Sequence, residues 1–327
     1  MLEDVLAIPD HLRDALWRFE SARIQPADAA GVLVCGVGGS AIGADLAGAV
    51  LGDRLSAPLL TVRGSELPSW ATAEWTALCI SYSGGTEETL ACFDAAGALG
   101  MRRIAVTTGG TLVERARGAE VPVVGLPGIL QAPRSSVAYV LVVTAEVAAL
   151  SGAAPRIHDE FEAAAAGLEA RVEELRSRAA AIAPRLTGTL PTIIGAGPTA
   201  PAARRWKAQV NENAKLPAFF SELPEADHNE LSGWGGAPAG TPLSVVLLED
   251  GDASPAEQRR FELTAEAIES QGVPVERISS PGESRTERLL AAVMLGDLVS
   301  LLIAEERGVD PLPIDAITEL KEALGRP

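Results

Sequence analysis

Residues 31–48, GVLVCGVGGSAIGADLAG, run from an apolar stretch through a glycine-rich turn into a helical pattern. A short apolar run followed at once by a tight turn and a helix start reads as strand, loop, helix. The unit recurs at 77–96, ALCISYSGGTEETLACFDAA, and at 103–116, RIAVTTGGTLVERA, with shorter apolar runs at 58–62 and 121–124. Strands alternating with helices imply a parallel sheet covered on both faces. A helix is expected ahead of the first unit, over 2–21. A pattern rich in Glu and Arg at i,i+4 spacing, 157–182, is expected to form a helix that crosses between domains. The second half restarts with PTIIGAG at 191–197, followed by a helix carrying 204–215, strands near 244–248 and 274–278, and helices from Pro255, Arg285 and Pro313. It reads as a divergent copy of the first half. The fold class is α/β, with two doubly wound parallel-sheet domains bounded at 1–152 and 153–327.

Bulk composition agrees with two domains, because 327 residues with 47% hydrophobic content exceed what one small core holds. The formal net charge of −17 argues against nucleic-acid and anionic-membrane partners, which need a basic footprint. A small anion would have to be held by local donors such as backbone N–H groups at a helix start. The longest apolar stretch, 137–150, is interrupted by Thr144 and Glu146 and is expected to be too short to span a bilayer. The first ten residues are acidic where a secretory signal would be basic, so the expected location is cytoplasmic. Cys35, Cys79 and Cys92 lack zinc-ligand spacing and are expected to be core thiols. His11 and His158 stand outside any motif and are expected to be solvated helical residues.

Two loops are candidates for chemistry. Gly36 to Ala41 fit the loose GxGxxA pattern of dinucleotide folds, yet the next strand ends in Arg63-Gly64 where a ribose-binding acid would stand, which leaves only NADP open. The loop SYSGGTEET, 81–89, offers the Ser81, Ser83 and Thr86 hydroxyls beside glycine N–H groups at a helix start, a nest sized for a monophosphate. Ser83 or Thr86 could equally cap that helix, with Glu87 and Glu88 complementing its dipole. The two roles are compatible.

The densest polar segment is 206–234, WKAQVNENAKLPAFFSELPEADHNELSGW, which gathers Glu212 between two asparagines, then Lys215, then His228, Asn229 and Glu230. The chain has only three lysines, Lys207, Lys215 and Lys321. A lysine can give up its proton where an arginine cannot, so each is a candidate for proton transfer.

GVGGSAIG, SYSGGTEET, APR at 132–134, NENAK at 211–215, ELPEADHNELSGW at 222–234 and DPLPIDAITELK at 310–321 together resemble the bifunctional phosphoglucose/phosphomannose isomerases of the sugar isomerase (SIS) fold. The resemblance spans nearly the whole chain and implies two flavodoxin-like SIS domains. It also implies a homodimer with its site at the subunit interface, a sugar-phosphate substrate and no cofactor or metal. Glu212 then corresponds to the base that moves a proton between C1 and C2 of the sugar. His228 corresponds to a ring-opening group supplied by the neighbouring chain, and Lys321 to the second such group. Arg134 would stabilise the enediolate. Gly38, Gly39, Ser40, Ser81, Ser83 and Thr86 would hold the 6-phosphate, with Lys207, Lys215 and Glu230 in support.

Two departures from the family pattern stand out. Gly84-Gly85 replaces the usual Gly-Asn, and Leu312 stands where many members carry Thr. Leu312 is expected to take up room beside the sugar or to remove a hydroxyl there, and so to lower the use of mannose 6-phosphate. Competing readings are an isomerase of another phosphosugar such as an amino sugar, a non-catalytic sugar-phosphate sensor, and an NADP-dependent oxidoreductase.

Overall fold

The computed structural model describes residues 1–324. Two short helices, α1 (Leu2–Leu6) and α2 (Ile8–Ser21), lead into β1 (Val32–Cys35), α3 (Gly39–Leu51), β2 (Leu59–Val62), β3 (Thr76–Ile80) and α4 (Glu87–Ala98). β4 (Arg102–Thr107), α5 (Gly110–Gly118), β5 (Val123–Gly125) and α6 (Val137–Leu150) complete the first half. The long α7 (His158–Leu186) precedes β6 (Leu190–Ala196), α8 (Ala200–Ala214), β7 (Phe219–Leu223), β8 (Leu243–Glu249), α9 (Pro255–Glu269) and β9 (Val275–Ser279). α10 (Arg285–Glu306) and α11 (Asp315–Leu324) close the described chain.

All strand pairings are parallel, in the orders β2-β1-β3-β4-β5 and β7-β6-β8-β9. The second order reproduces the first without its last strand. After β9 the chain enters α10 directly, and α10 is buried over most of its length between α7 and α8. β1 and β3 are buried at every position, as strands covered on both faces must be. That is why they read as continuous apolar runs rather than as alternating ones.

Four expectations need correction or extension. The leading helix is two helices: Pro9 at the second position of α2 has no N–H to give, and α1 stops just before it at Leu6. The charged helix runs to Leu186, beyond 182, and packs against both α2 and α10. α6 alone is 14 residues, short of a bilayer span as expected, and only with its preceding 3-10 turn does Pro133–Leu150 become long and apolar enough to cross a membrane. It is also 83% buried, packed among α2, α3, β1 and β3, and this accounts for its composition. His11 is not solvated. It lies on the inner stripe of α2 and is 8% exposed, its ring 5.2 Å from that of Tyr139, and burial pushes its pKa below the usual histidine value. His158 opens α7, half-buried beside Arg156 and Glu20.

The three thiols are free and buried. Hydrogen bonding to Cys79 and to Cys35 respectively, with burial, pushes the Cys35 and Cys92 thiols up, so they stay protonated as core residues.

Candidate active site

The two glycine-rich turns leave the C-terminal ends of the adjacent strands β1 and β3. Between these strands the sheet order reverses, and that crevice is where open α/β sheets place ligands. Gly38 adopts φ +58°, a left-handed conformation that favours glycine, and α3 starts at the next residue. In the second turn Gly84 has φ +71°, and a Cβ there would lie 1.8 Å from the Gly109 carbonyl oxygen. No side chain fits at that position. Ser81, buried at the end of β3, accepts the Gly84 N–H at 3.1 Å and the Thr86 N–H at 3.4 Å. Its hydroxyl lies 2.7 Å from the Thr86 hydroxyl. With both acceptor positions of Ser81 used, its proton goes to Thr86, and Thr86 keeps its own hydroxyl hydrogen for the cleft it lines. Thr86 does occupy the N-cap position of α4, but its side chain makes no capping bond.

Arg134 enters from the 3-10 turn Pro133–Ser136 ahead of α6 and is 4% exposed. Its Nε donates to Asn213 Oδ1 at 2.8 Å and its Nη2 to the Pro311 carbonyl at 2.6 Å. Its Nη1 stands 3.4 Å from Glu212 Oε2, long for a charge-assisted bond. Burial disfavours the charged guanidinium, and Glu212 opposes that effect. Glu212 sits in the last turn of α8, partly open to solvent. Lys215 ends α8 in the left-handed conformation, φ 52°, and its Nζ donates to the Glu212 backbone carbonyl and to Pro311 O. Burial, with Arg134 close by, pushes its pKa down.

A cleft of about 320 Å³ joins these parts. It is lined by Gly38, Gly39 and Ser40 from the first turn, Tyr82, Ser83 and Thr86 from the second, then Arg134 and Glu212, and Ile314, Ile317 and Lys321 from the C-terminal segment. Beyond Ile314 and Ile317 lies a second opening of about 540 Å³ that also reaches Glu212. Backbone and hydroxyl donors of the two turns therefore share one cleft with a carboxylate and its guanidinium, a set of groups suited to holding an anion while moving a proton.

Ser81 supports the second turn from below and does not line the cleft. His228 is exposed on the 3-10 turn Glu225–His228 and does not line it either. Leu312 does not crowd this cleft. The Leu312 N–H bonds the Asp310 carboxylate in a tight turn, and its side chain lines a separate groove of about 640 Å³ with Met1, Leu2 and α10. Gly85 has open space around it. Sequence reasoning missed Tyr82, Ile314 and Ile317, and it placed Asn213 beside Glu212 where the structure bonds it to Arg134 and Ser300. The signal for the isoleucines was present, since 314, 317 and 321 are spaced to share one helical face. Among the described residues, no group of three or more His, Cys, Asp or Glu is placed to hold a metal ion.

Fold and cleft define an SIS-type α/β protein with two parallel sheets and a cleft suited to an anionic ligand. Residues 175–324 match the bacterial phospho-glucose isomerase C-terminal SIS domain. The bifunctional phosphoglucose/phosphomannose isomerase of Aquifex aeolicus is 35% identical over 90% of this chain and 90% of its own. That of Caldicellulosiruptor bescii is 32% identical over 99% and 98%. A D-glucosamine-6-phosphate 4-epimerase of Sulfolobus acidocaldarius is 31% identical over 76% and 75%. Among solved structures, the C-terminal domain of glucosamine-fructose-6-phosphate aminotransferase from Francisella tularensis superposes with TM-score 0.73 at 13% identity, covering 96% of this chain and 98% of that one. The chain belongs to the bifunctional phosphoglucose/phosphomannose isomerase family.

Proposed function

We propose that the protein is a metal-independent aldose–ketose isomerase that interconverts glucose 6-phosphate, and mannose 6-phosphate, with fructose 6-phosphate. The observation that carries this reading is the Glu212–Arg134 pair, 3.4 Å apart, in one cleft with two glycine turns and Lys321. The 6-phosphate is held by the backbone N–H groups and hydroxyls of Gly38, Gly39, Ser40, Ser83 and Thr86, with Ser81 fixing the second turn. Lys321 and His228 move protons between the ring oxygen and O1 to open the sugar. Glu212 takes the proton from C2, the electron pair becomes the enediolate double bond, and Arg134 stabilises the charge on oxygen. Return of the proton to C1, with transfer of the O2 hydroxyl proton to O1, completes the ketose. The two aldoses differ only at C2 and share the enediol, so rotation about C2–C3 lets one base serve both.

His228 lies outside this chain's cleft, which fits a homodimer in which each subunit supplies His228 to its partner. Three buried free thiols fit the expected cytoplasmic location. The Sulfolobus relative favours one competing reading, an amino-sugar 6-phosphate as substrate in the same cleft.

A coupled assay of fructose 6-phosphate formation from both aldoses, run with EDTA present, tests the reading. Turnover of at least glucose 6-phosphate is expected. Activity abolished by EDTA and restored by a divalent metal would refute metal independence. Turnover of glucosamine 6-phosphate alone would transfer the assignment to the amino sugar.

A further inference from the structure

We propose that Ser300 and Asn213 are positioning residues. Ser300 fixes which way the Asn213 amide faces, and through it how the Arg134 fork presents its free N–H groups to Glu212 and the cleft. The proposal rests on the isomerase reading and adds the residues that aim its electrophile.

A guanidinium in a buried site has five donors and no acceptor, so each neighbour must offer it an oxygen. Asn213 could offer either its carbonyl or its NH2, and nothing in the amide itself decides between them. The donor-only guanidinium requires the carbonyl, and α10 fixes the same orientation from the other side. The Ser300 hydroxyl donates to the Asp297 backbone carbonyl at 2.7 Å, so its oxygen can only accept from the other side. Asn213 Nδ2 donates to that oxygen at 2.9 Å. With its NH2 committed to Ser300, Asn213 has only its oxygen left for Arg134, and it accepts Nε at 2.8 Å. Each bond in this chain runs in one direction because the one before it does.

The same turn of α10 holds the Arg134 backbone. The Asp297 carboxylate takes Arg205 Nε at 2.9 Å and Nη2 at 2.6 Å, and Arg205 Nη2 also donates to the Arg134 carbonyl at 3.1 Å. Asn213, Ser300, Arg205 and Asp297 are all buried, so water cannot substitute for a lost partner. Both ends of Arg134 are thus referred to one helical turn. Only Nη1, the atom nearest Glu212, is held by a long contact.

Ser300→Ala removes the first link and leaves the phosphate turns untouched. We expect kcat to fall about tenfold or more, since a misplacement of about 1 Å can cost about a hundredfold. KM and competitive inhibition by inorganic phosphate should change by less than about twofold. Ser300→Thr, which keeps the hydroxyl, should restore kcat to within about threefold of the original chain. A packing role would lower the melting temperature in both variants without this split. Independently of turnover, the Arg134 Nε–H resonance should be protected from exchange in the original chain and in Ser300→Thr, and lost in Ser300→Ala. If Ser300→Ala does not fold, Ser300→Cys, whose sulfur accepts weakly, reads the same quantities. A resonance that persists in the alanine or cysteine chain, or a kcat within about twofold of the original, overturns the proposal. Failure of the original chain to isomerise any phosphosugar defeats the functional reading instead, and the resonance still reports on the relay.

Discussion

Glu212 is held at one side by a guanidinium whose other bonds are short, and in the proposed isomerase this asymmetry would leave the carboxylate free to take the substrate proton. Glu212→Gln keeps the shape and removes the base, so kcat should fall by about 100-fold or more while KM stays within about threefold. Retention of a tenth of the rate would remove Glu212 from the role. His11 carries a stability prediction. Its folded pKa lies below the unfolded value of 6.5, so the unfolded chain binds the extra proton first, and stability falls as pH drops below that value until the folded form also titrates. One proton gives a slope of at most about 1.4 kcal/mol per pH unit. In His11→Phe, which keeps a ring against Tyr139, a melting curve recorded at pH 7 and pH 5 should lose part of that pH dependence, and an unchanged difference would clear His11. At this scale Glu212, Arg134 and the turn residues are legible in short motifs that combine unusual residue types. Leu312 and His11 are not, because which side of a turn or helix meets the core depends on elements distant in sequence.

Strands β1 and β3 and their turns are the parts most readily read from sequence, since doubly covered strands leave uninterrupted apolar runs and left-handed turns demand glycine. The break between α1 and α2 has its local sign in Pro9, whereas no local pattern states the length of α7 or, among the described residues, the absence of a fifth strand after β9. Within the second turn the two glycines differ. Gly84→Ala must push against the Gly109 carbonyl and adopt a left-handed conformation, so it should cost more than about 2 kcal/mol and weaken phosphate binding. Gly85 is at an ordinary φ with nearby space, so Gly85→Ala should be nearly neutral in a denaturant titration. Equal costs at the two positions would show that the turn is not held as described.

For the molecule as a whole, the position of His228 outside its own cleft makes subunit exchange informative. In the proposed homodimer, mixing a His228→Ala chain with a Glu212→Gln chain should restore activity, because each mixed pair would rebuild one site from intact halves. Inactivity despite demonstrated chain exchange would place both residues in one chain's site. The plan of two parallel sheets and part of the polar lining of the cleft follow from the order of motifs along the chain.

No residue of α11 whose exposure is described is buried, and yet Lys321 rides on it. A protease that trims the chain near residue 312 should therefore abolish turnover while the melting temperature moves by less than about 2 °C, with bound fructose 6-phosphate slowing the cut; a large drop in melting temperature would show that α11 is part of the packed body. A preparation can then pass every test of folding and homogeneity while a growing fraction of it is catalytically dead, and only an active-site titration, or an intact mass, tells the two populations apart.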